Sequence, residues 1–98
     1  MSTLPKVSSA FITVAPESAT AYQVTITEGH GSTTHLVTAD PGDVNRFGGG
    51  VAAEVLIEAS FRFLLDREPK ESIMGSFDLP VIARYFPEYP DRIGEYLR

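Results

Sequence analysis

The feature that most constrains the fold is the stretch from Val51 to Leu65, whose apolar residues recur at helical spacing. Its charged residues, Glu54, Glu58 and Arg62, share one narrow stripe on which Arg62 follows Glu58 by one helical turn. Apolar residues cover most of the remaining circumference. We therefore predict a central helix that exposes a thin strip to water and is surrounded by the rest of the chain.

Length and composition limit both the core and the partners. With 98 residues we expect a single domain with one modest core. The absence of cysteine excludes disulfides, thiolate catalysis, iron–sulfur clusters and the usual structural zinc sites. The net charge of −5, with lysine only at Lys6 and Lys70, argues against a nucleic-acid partner, because such binding needs basic residues to neutralise phosphates.

No segment has the pattern of a secretory signal or a membrane span. The N-terminal residues lack the apolar run of a signal peptide, and no stretch approaches the roughly 18 apolar residues that a spanning helix needs. We therefore expect a cytoplasmic protein that does not bind membranes.

Alternating residues predict a β-hairpin in the N-terminal half. In segment 22–27 the apolar side chains occupy every second position, and segment 33–39 supplies a partner strand across a glycine-containing turn. Pairing Gly29 with Ser32 gives three further pairs: Ile26 with His35, Val24 with Val37, and Tyr22 with Ala39. This register puts the apolar residues of the first strand on the face of Val37 and turns Leu36 the other way.

Residues 1–18 are interpreted either as a flexible arm or as an edge strand. They are rich in Ser, Thr, Ala and Pro, with one apolar cluster from Ala10 to Val14. Because proline cannot donate to a sheet ladder, Phe11 and Ile12 would enter a sheet at its edge. Both interpretations stay open, and residues 19–98 form the α+β domain.

Prolines divide the chain after Leu65 into short helices. We predict helices at 69–74, 79–86 and 90–97, with Asp78 as the cap of the second. The apolar residues that dock these helices on the central one are Ile73, Met74, Phe77, Leu79, Ile82, Phe86, Ile93 and Leu97. The predicted fold class is α+β: a β-hairpin, with a third N-terminal edge strand as an open alternative, packed on one central helix and several short C-terminal helices.

A glycine run, Gly48, Gly49 and Gly50, is the candidate ligand-binding site. Backbone amides of a glycine loop at a helix N-terminus attract anions, here in a pocket between the run and the hairpin. The run lacks the Gly-Lys-Ser/Thr ending of a phosphate-binding loop and does not follow a strand of a βαβ unit, so a flexible linker is the competing interpretation. A separate helical turn at 44–47, capped by Asp43, is also open.

No catalytic or metal site is predicted. The candidate metal ligands are His30, His35, Glu28 and Asp40. His30 lies in the turn and His35 on a strand, so the two need not converge. Ser60 and Ser76 lack the glycine pattern of a nucleophile elbow, and the carboxylates of the helix stripe are interpreted as solvated. We assign no catalytic residue, metal or cofactor, and we favour a protein without enzymatic activity.

Aromatic residues near the C-terminus have the composition of a protein-binding surface. Tyr85, Phe86, Tyr89 and Tyr96 are interleaved with Arg84 and Arg92. We predict that Phe86 is in the core and that Tyr89 and Tyr96 are exposed. The candidate partner-binding residues are Tyr85, Tyr89, Arg92 and Tyr96.

Four strings run from the central helix to Pro90: ASFRFLL at 59–65, REPKESI at 67–73, FDL at 77–79 and YFPEYP at 85–90. In these strings the chain resembles a group of short, uncharacterised bacterial proteins. The resemblance implies a small bacterial protein and carries no activity, cofactor or catalytic residue.

The sequence therefore predicts a small acidic adaptor or regulatory protein that binds another protein through the hairpin edge or the aromatic surface. The alternative is a small-ligand or anion-binding protein, or an enzyme subunit, that uses the loop Gly48 to Gly50. A monomer and a weak homodimer formed by strand pairing are both compatible with the pattern.

Overall fold

The hairpin is the centre of a four-stranded sheet in the computed structural model, which describes residues 10–29 and 31–97. The strands are β1 Phe11–Pro16, β2 Ala21–Glu28, β3 Gly31–Thr38 and β4 Ser76–Asp78. They lie in the order β1-β2-β3-β4, with the first three antiparallel and β4 parallel to β3. With the helices below, this confirms an α+β fold.

The predicted hairpin register is wrong by two positions, since Val24 lies opposite His35 and not Val37. Because the shift is even, the predicted faces are correct: Val24, Ile26 and Val37 are fully buried and Leu36 is exposed. In the observed register the last pair is Glu28 with Gly31, so the turn begins at Gly29. Gly29 has a φ of 62°, which a tight hairpin turn needs at its first central position.

β1 confirms the edge-strand interpretation for residues 11–16. The strand pairs with β2 from Phe11 opposite Thr27 to Pro16 opposite Tyr22 and, among the described residues, forms one edge of the sheet. Ile12 points into the core, whereas Phe11 is exposed. Residues 1–9 of the predicted arm lie outside the described residues.

The sequence does not predict β4, which has only three residues and therefore too little alternation to be recognised. One backbone hydrogen bond to the β3 segment lies at each end of β4. The Leu36 amide donates to Gly75 O before the strand, and the Leu79 amide donates to Thr38 O after it, each at 2.8 Å. Asp78, predicted as a helix cap, lies in this strand and accepts a hydrogen bond from the Thr38 hydroxyl.

The α-helices are α1 Pro41–Gly48, α2 Ala53–Leu65, α3 Val81–Tyr85 and α4 Tyr89–Tyr96. The Asp40 carboxylate caps α1 by accepting from the Gly42 amide at 3.0 Å, a role predicted for Asp43. A short 3₁₀ turn, Lys70–Ser72, stands where a longer helix was predicted at 69–74. None of the described helices has the length and apolarity that a membrane span requires.

α2 is the predicted central helix and begins two residues later than Val51, at Ala53. Its Phe61 ring lies 5.4 Å from His35 of β3, and its Phe63 ring lies 5.2 Å from Tyr89 of α4. The helix therefore has the sheet on one side and α4 on another. The predicted charged stripe lies at the surface, because the Arg62 and Glu58 side chains are 35% and 45% exposed and form an ion pair at 3.0 Å. The exposed strip is wider than predicted, since Val55 is also exposed.

Candidate functional site

An apolar groove of about 320 Å³ lies between the end of α2, the 3₁₀ turn, β4 and α3. Its apolar wall includes Leu64, Ile73, Phe77, Ile82 and Phe86. Two large apolar side chains stand at the rim, Met74 with 41% of its surface exposed and Tyr85 with 64%. Such side chains are enriched at sites where proteins bind apolar partners.

The segment after α2 forms this groove because the residues before and after β4 are anchored in the core. Ile73 and Ile82 are buried on either side of β4, and Leu79 is fully buried between them. The pairing of β4 with β3 then holds Phe77 at half-burial, with its ring 5.9 Å from Phe61. The groove thus depends on a strand contact between residues that are far apart in the chain.

One carboxylate, that of Glu68, lies in the wall of the groove. Burial raises its pKa, and among the described residues it has no ion-pair partner. The neighbouring cations are paired elsewhere: Arg67 Nε donates to Glu88 at 2.8 Å and Lys70 Nζ to Glu71 at 2.9 Å. The groove therefore combines apolar surface with a carboxyl group that no cation of residues 10–29 and 31–97 pairs with.

Glu68 also borders a second cavity of about 330 Å³, which extends the negative charge beyond the groove. The residues that line this cavity include two more acidic residues, Glu28 and Asp66, and one basic residue, Arg67. The Asp66 carboxylate accepts a hydrogen bond from the Tyr96 hydroxyl at 2.5 Å. Among residues 10–29 and 31–97, no group of three or more metal-ligating side chains is arranged to hold an ion.

The predicted partner-binding residues are not brought together. Tyr85 stands at the groove rim, whereas Arg92 is exposed on α4 and donates to Glu95 at 3.1 Å. Tyr96 is half-buried, and burial together with its hydrogen bond to Asp66 raises its pKa. Phe86, predicted to lie in the core, is half-buried in the groove wall.

The predicted exposure of Tyr89 is wrong, because this side chain is fully buried. Its ring packs 5.1 Å from Phe47 and 5.2 Å from Phe63. Ser60 donates its hydroxyl proton to Leu56 O at 2.7 Å, so the Tyr89 hydroxyl donates to Ser60 Oγ, also at 2.7 Å. Burial raises the pKa of Tyr89 to about 12. Tyr89 and Ser60 are therefore structural residues of the core.

The glycine run, Gly48 to Gly50, lies at the end of α1 and precedes α2. Gly48 is the last residue of α1, where an added Cβ would lie 2.9 Å from Val51 Cγ2, and Gly49 closes the helix with a left-handed φ of 66°. Gly50 lines a cavity of about 270 Å³ with Tyr22 of β2 and Val44 of α1. That cavity has no basic side chain among its described lining residues, so the geometry offers an anion no cationic partner.

His35 uses both ring nitrogens in hydrogen bonds within the fold. Since Met74 O can only accept, Nδ1 carries the proton that is donated to it at 2.8 Å, and Nε2 accepts from the Thr33 hydroxyl at 2.8 Å. The buried imidazole therefore fixes the chain before β4 and is not available to a metal ion. His30, the other predicted metal-ligand candidate among the histidines, lies outside the described residues.

No match was found when the chain was compared with models of protein families, with curated proteins or with solved structures. The site is therefore interpreted from its own geometry. Sequence reasoning identified Tyr85 but missed Glu68 and Met74, since only the pairing of β4 with β3 brings these residues around one groove.

Proposed function

We propose that this protein is a small non-enzymatic interaction module that holds an apolar segment of another protein in the groove rimmed by Met74 and Tyr85. The observation that carries the proposal is the apolar groove with Glu68 in its wall, a residue that forms no ion pair with any described residue. An apolar side chain of the partner would cover the exposed rim, and a nearby lysine or arginine would neutralise Glu68. The resemblance to short bacterial proteins supports a bacterial cytoplasm as the proposed setting.

Selection from a random peptide library displayed on phage tests this function directly. The immobilised protein is used as bait, and selected peptides are synthesised and titrated by calorimetry against the wild type and the variants Tyr85→Ala and Phe11→Ala. Phe11 is a matched control, because it is an aromatic residue with 68% exposure, close to the 64% of Tyr85, and lies on a different strand from the groove.

We expect selected peptides to combine a large apolar residue with a lysine or arginine nearby. Tyr85→Ala should weaken their binding about tenfold or more, in the range of an interface hot spot, whereas Phe11→Ala should leave it unchanged. Glu68→Gln should weaken binding and remove most of its dependence on salt. Peptides that bind equally to the wild type and Tyr85→Ala would place the interaction elsewhere and contradict the proposal.

A small amine is the second candidate ligand, because the groove volume of about 320 Å³ lies at the lower end of ordinary small-molecule sites. Octylamine and octanol are suitable probes, since they share an apolar chain and differ in charge. Octylamine should perturb the amide resonances of 72–86 more strongly than octanol, and Glu68→Gln should remove that difference. Equal perturbation by both probes would rule out recognition of the amine.

A further inference from the structure

The outer edge of β1 has the hydrogen-bonding groups needed to add another strand. The Glu17 amide donates to Ala21 O at 2.8 Å, which identifies that pair as hydrogen-bonded. Hydrogen-bonded pairs alternate along an antiparallel ladder, so the odd-numbered residues of β1 bond to β2. The backbone groups of Ile12 and Val14 therefore point away from β2. Pro16 also falls at an outward position, where its missing N–H costs no bond to β2.

The side chains of β1 favour a second copy of the same chain over a charged partner. The strand reads FITVAP and carries no charge, whereas the whole chain has a net charge of −5. Two copies repel each other least where their contact surfaces are uncharged. Edge strands that avoid association carry lysines, prolines, bulges or inward charges. Residues 11–16 contain no charged side chain, and their one proline, Pro16, lies at the end of the strand, beyond Ile12 and Val14.

We infer that β1 pairs antiparallel with β1 of a second copy, with the two-fold axis at Thr13. In this register Ile12 of each copy exchanges backbone hydrogen bonds with Val14 of the other, so only outward-pointing groups are used. Phe11, which is 68% exposed, then lies opposite Ala15 of the other copy, and the small side chain leaves room for the ring. The two sheets join into one continuous sheet.

The contact between the two copies is small. A six-residue strand edge buries less than the roughly 1,200 Å² at the lower end of stable interfaces, so the dimer is weak and depends on concentration. Because β1 and β4 are opposite edges of the sheet, the two grooves lie at opposite ends of the dimer. Self-association thus makes the proposed binding module bivalent, but it does not depend on that function.

Single-cysteine variants test the pairing, because the chain contains no cysteine of its own. Thr13→Cys places the thiol on the proposed axis, in a non-hydrogen-bonded pair where a disulfide across strands fits. Thr34→Cys is the matched control, since Thr34 is also exposed but lies on the inner strand β3. Disulfide formation is followed under mild oxidation, and light scattering is measured over a range of protein concentrations.

We expect Thr13→Cys to form the covalent dimer at least about tenfold faster than Thr34→Cys, because pairing raises the effective thiol concentration. Adding Val14→Pro, which removes an outward N–H and leaves the bonds to β2, should abolish the difference. Phe11→Lys serves the same purpose without a change in the backbone, and circular dichroism checks that both variants fold. Equal rates for the two cysteine variants, or a dimer unaffected by Val14→Pro and Phe11→Lys, would overturn the inference.

Discussion

Phe61 and Phe63 are both fully buried in α2, two positions apart, and they face different sides of the helix. Phe61 packs near His35 and Phe77 of the sheet. Phe63 packs against the rings of Tyr89 and Tyr96, and the Arg67 guanidinium lies 3.7 Å from its centroid. The buried strand residues of the sheet are mainly aliphatic, whereas the α4 side contributes aromatic rings with polar tips, those of Tyr89 and Tyr96.

The two sides of this one helix are therefore stabilised in different ways. The sheet side depends on burial alone, apart from the His35 hydrogen bonds. On the α4 side, polar groups attached to or stacked on the rings must also find partners. The Tyr89 hydroxyl donates to Ser60, and Arg67, whose guanidinium lies over the Phe63 ring, donates to Glu88. Substitutions and pH should therefore affect the α4 side in ways that the sheet side does not share.

The largest effect is expected for Tyr89→Ala, which should lower the free energy of unfolding by about 3–5 kcal/mol. The substitution removes a fully buried ring and leaves Ser60 without the hydrogen bond from the Tyr89 hydroxyl. Urea unfolding followed by circular dichroism measures the loss. Tyr85→Ala is the control, because its exposed ring should contribute less than about 1 kcal/mol. Similar losses for both variants would contradict the burial of Tyr89.

High pH should destabilise the α4 side through Tyr89. Its pKa is raised by burial from 10.0 to about 12, so below pH 10 both the folded and unfolded states keep the proton and stability is unaffected. Between pH 10 and 12 the unfolded state loses the proton first, so the free energy of unfolding falls, by about 2 kcal/mol at pH 11.5.

The control for this pH effect is Tyr89→Phe, which has no proton to lose. Unfolding curves of the wild type and the variant at pH 8 and pH 11.5 isolate the contribution of Tyr89 from that of other groups that titrate at high pH. If the two proteins lose the same stability over this interval, the buried hydroxyl does not have the raised pKa.

Arg67→Lys should cost about 1 kcal/mol, because lysine cannot lie flat over the Phe63 ring while donating to both Glu88 and Phe63 O. Arg92→Lys is the matched control, since Arg92 is exposed and contacts only Glu95 among the described side chains by hydrogen bond. Thermal unfolding at pH 7 compares the two. A stability change for Arg92→Lys as large as that for Arg67→Lys would show that the planar guanidinium has no special role.

The smallest effect is expected for Glu58→Gln on the solvent stripe of α2, which belongs to neither buried side. Its ion pair with Arg62 at 3.0 Å is partly exposed and follows helical spacing, so the loss should be about 0.3–0.5 kcal/mol. The difference from the wild type should vanish in 1 M salt. A larger or salt-independent loss would indicate that the stripe is not simply solvated.

The periodicity of the sequence predicted well which side chains are buried on the sheet side of α2. It predicted burial on the α4 side only in part. The alternation of Val24 and Ile26 determines their face, even though the register was wrong by two positions. No comparable pattern separates Tyr89, which is buried, from Tyr85, which is exposed, because both lie in short helical segments between prolines. Burial there depends on tertiary packing against Phe47 and Phe63.

The candidate site was predictable to a smaller extent than the fold. Tyr85 could be identified from composition, but Glu68 and Met74 become neighbours only after β4 pairs with β3. A three-residue strand has no recognisable period, so the groove that it forms could not be located from the sequence.

The short length of β4 leads us to expect that this part of the native state opens before the rest of the sheet. Two backbone hydrogen bonds lie at the ends of the pairing between β3 and β4. The Leu36 amide donates to Gly75 O, and the Leu79 amide donates to Thr38 O. A strand that pairs with its neighbour over only three residues can separate from β3 while the hairpin and α2 remain folded, as a subglobal unfolding unit. These two amides should then exchange with deuterium faster than those in the middle of β2, and their exchange rates should report how often the groove comes apart. A ligand seated in the groove would slow both.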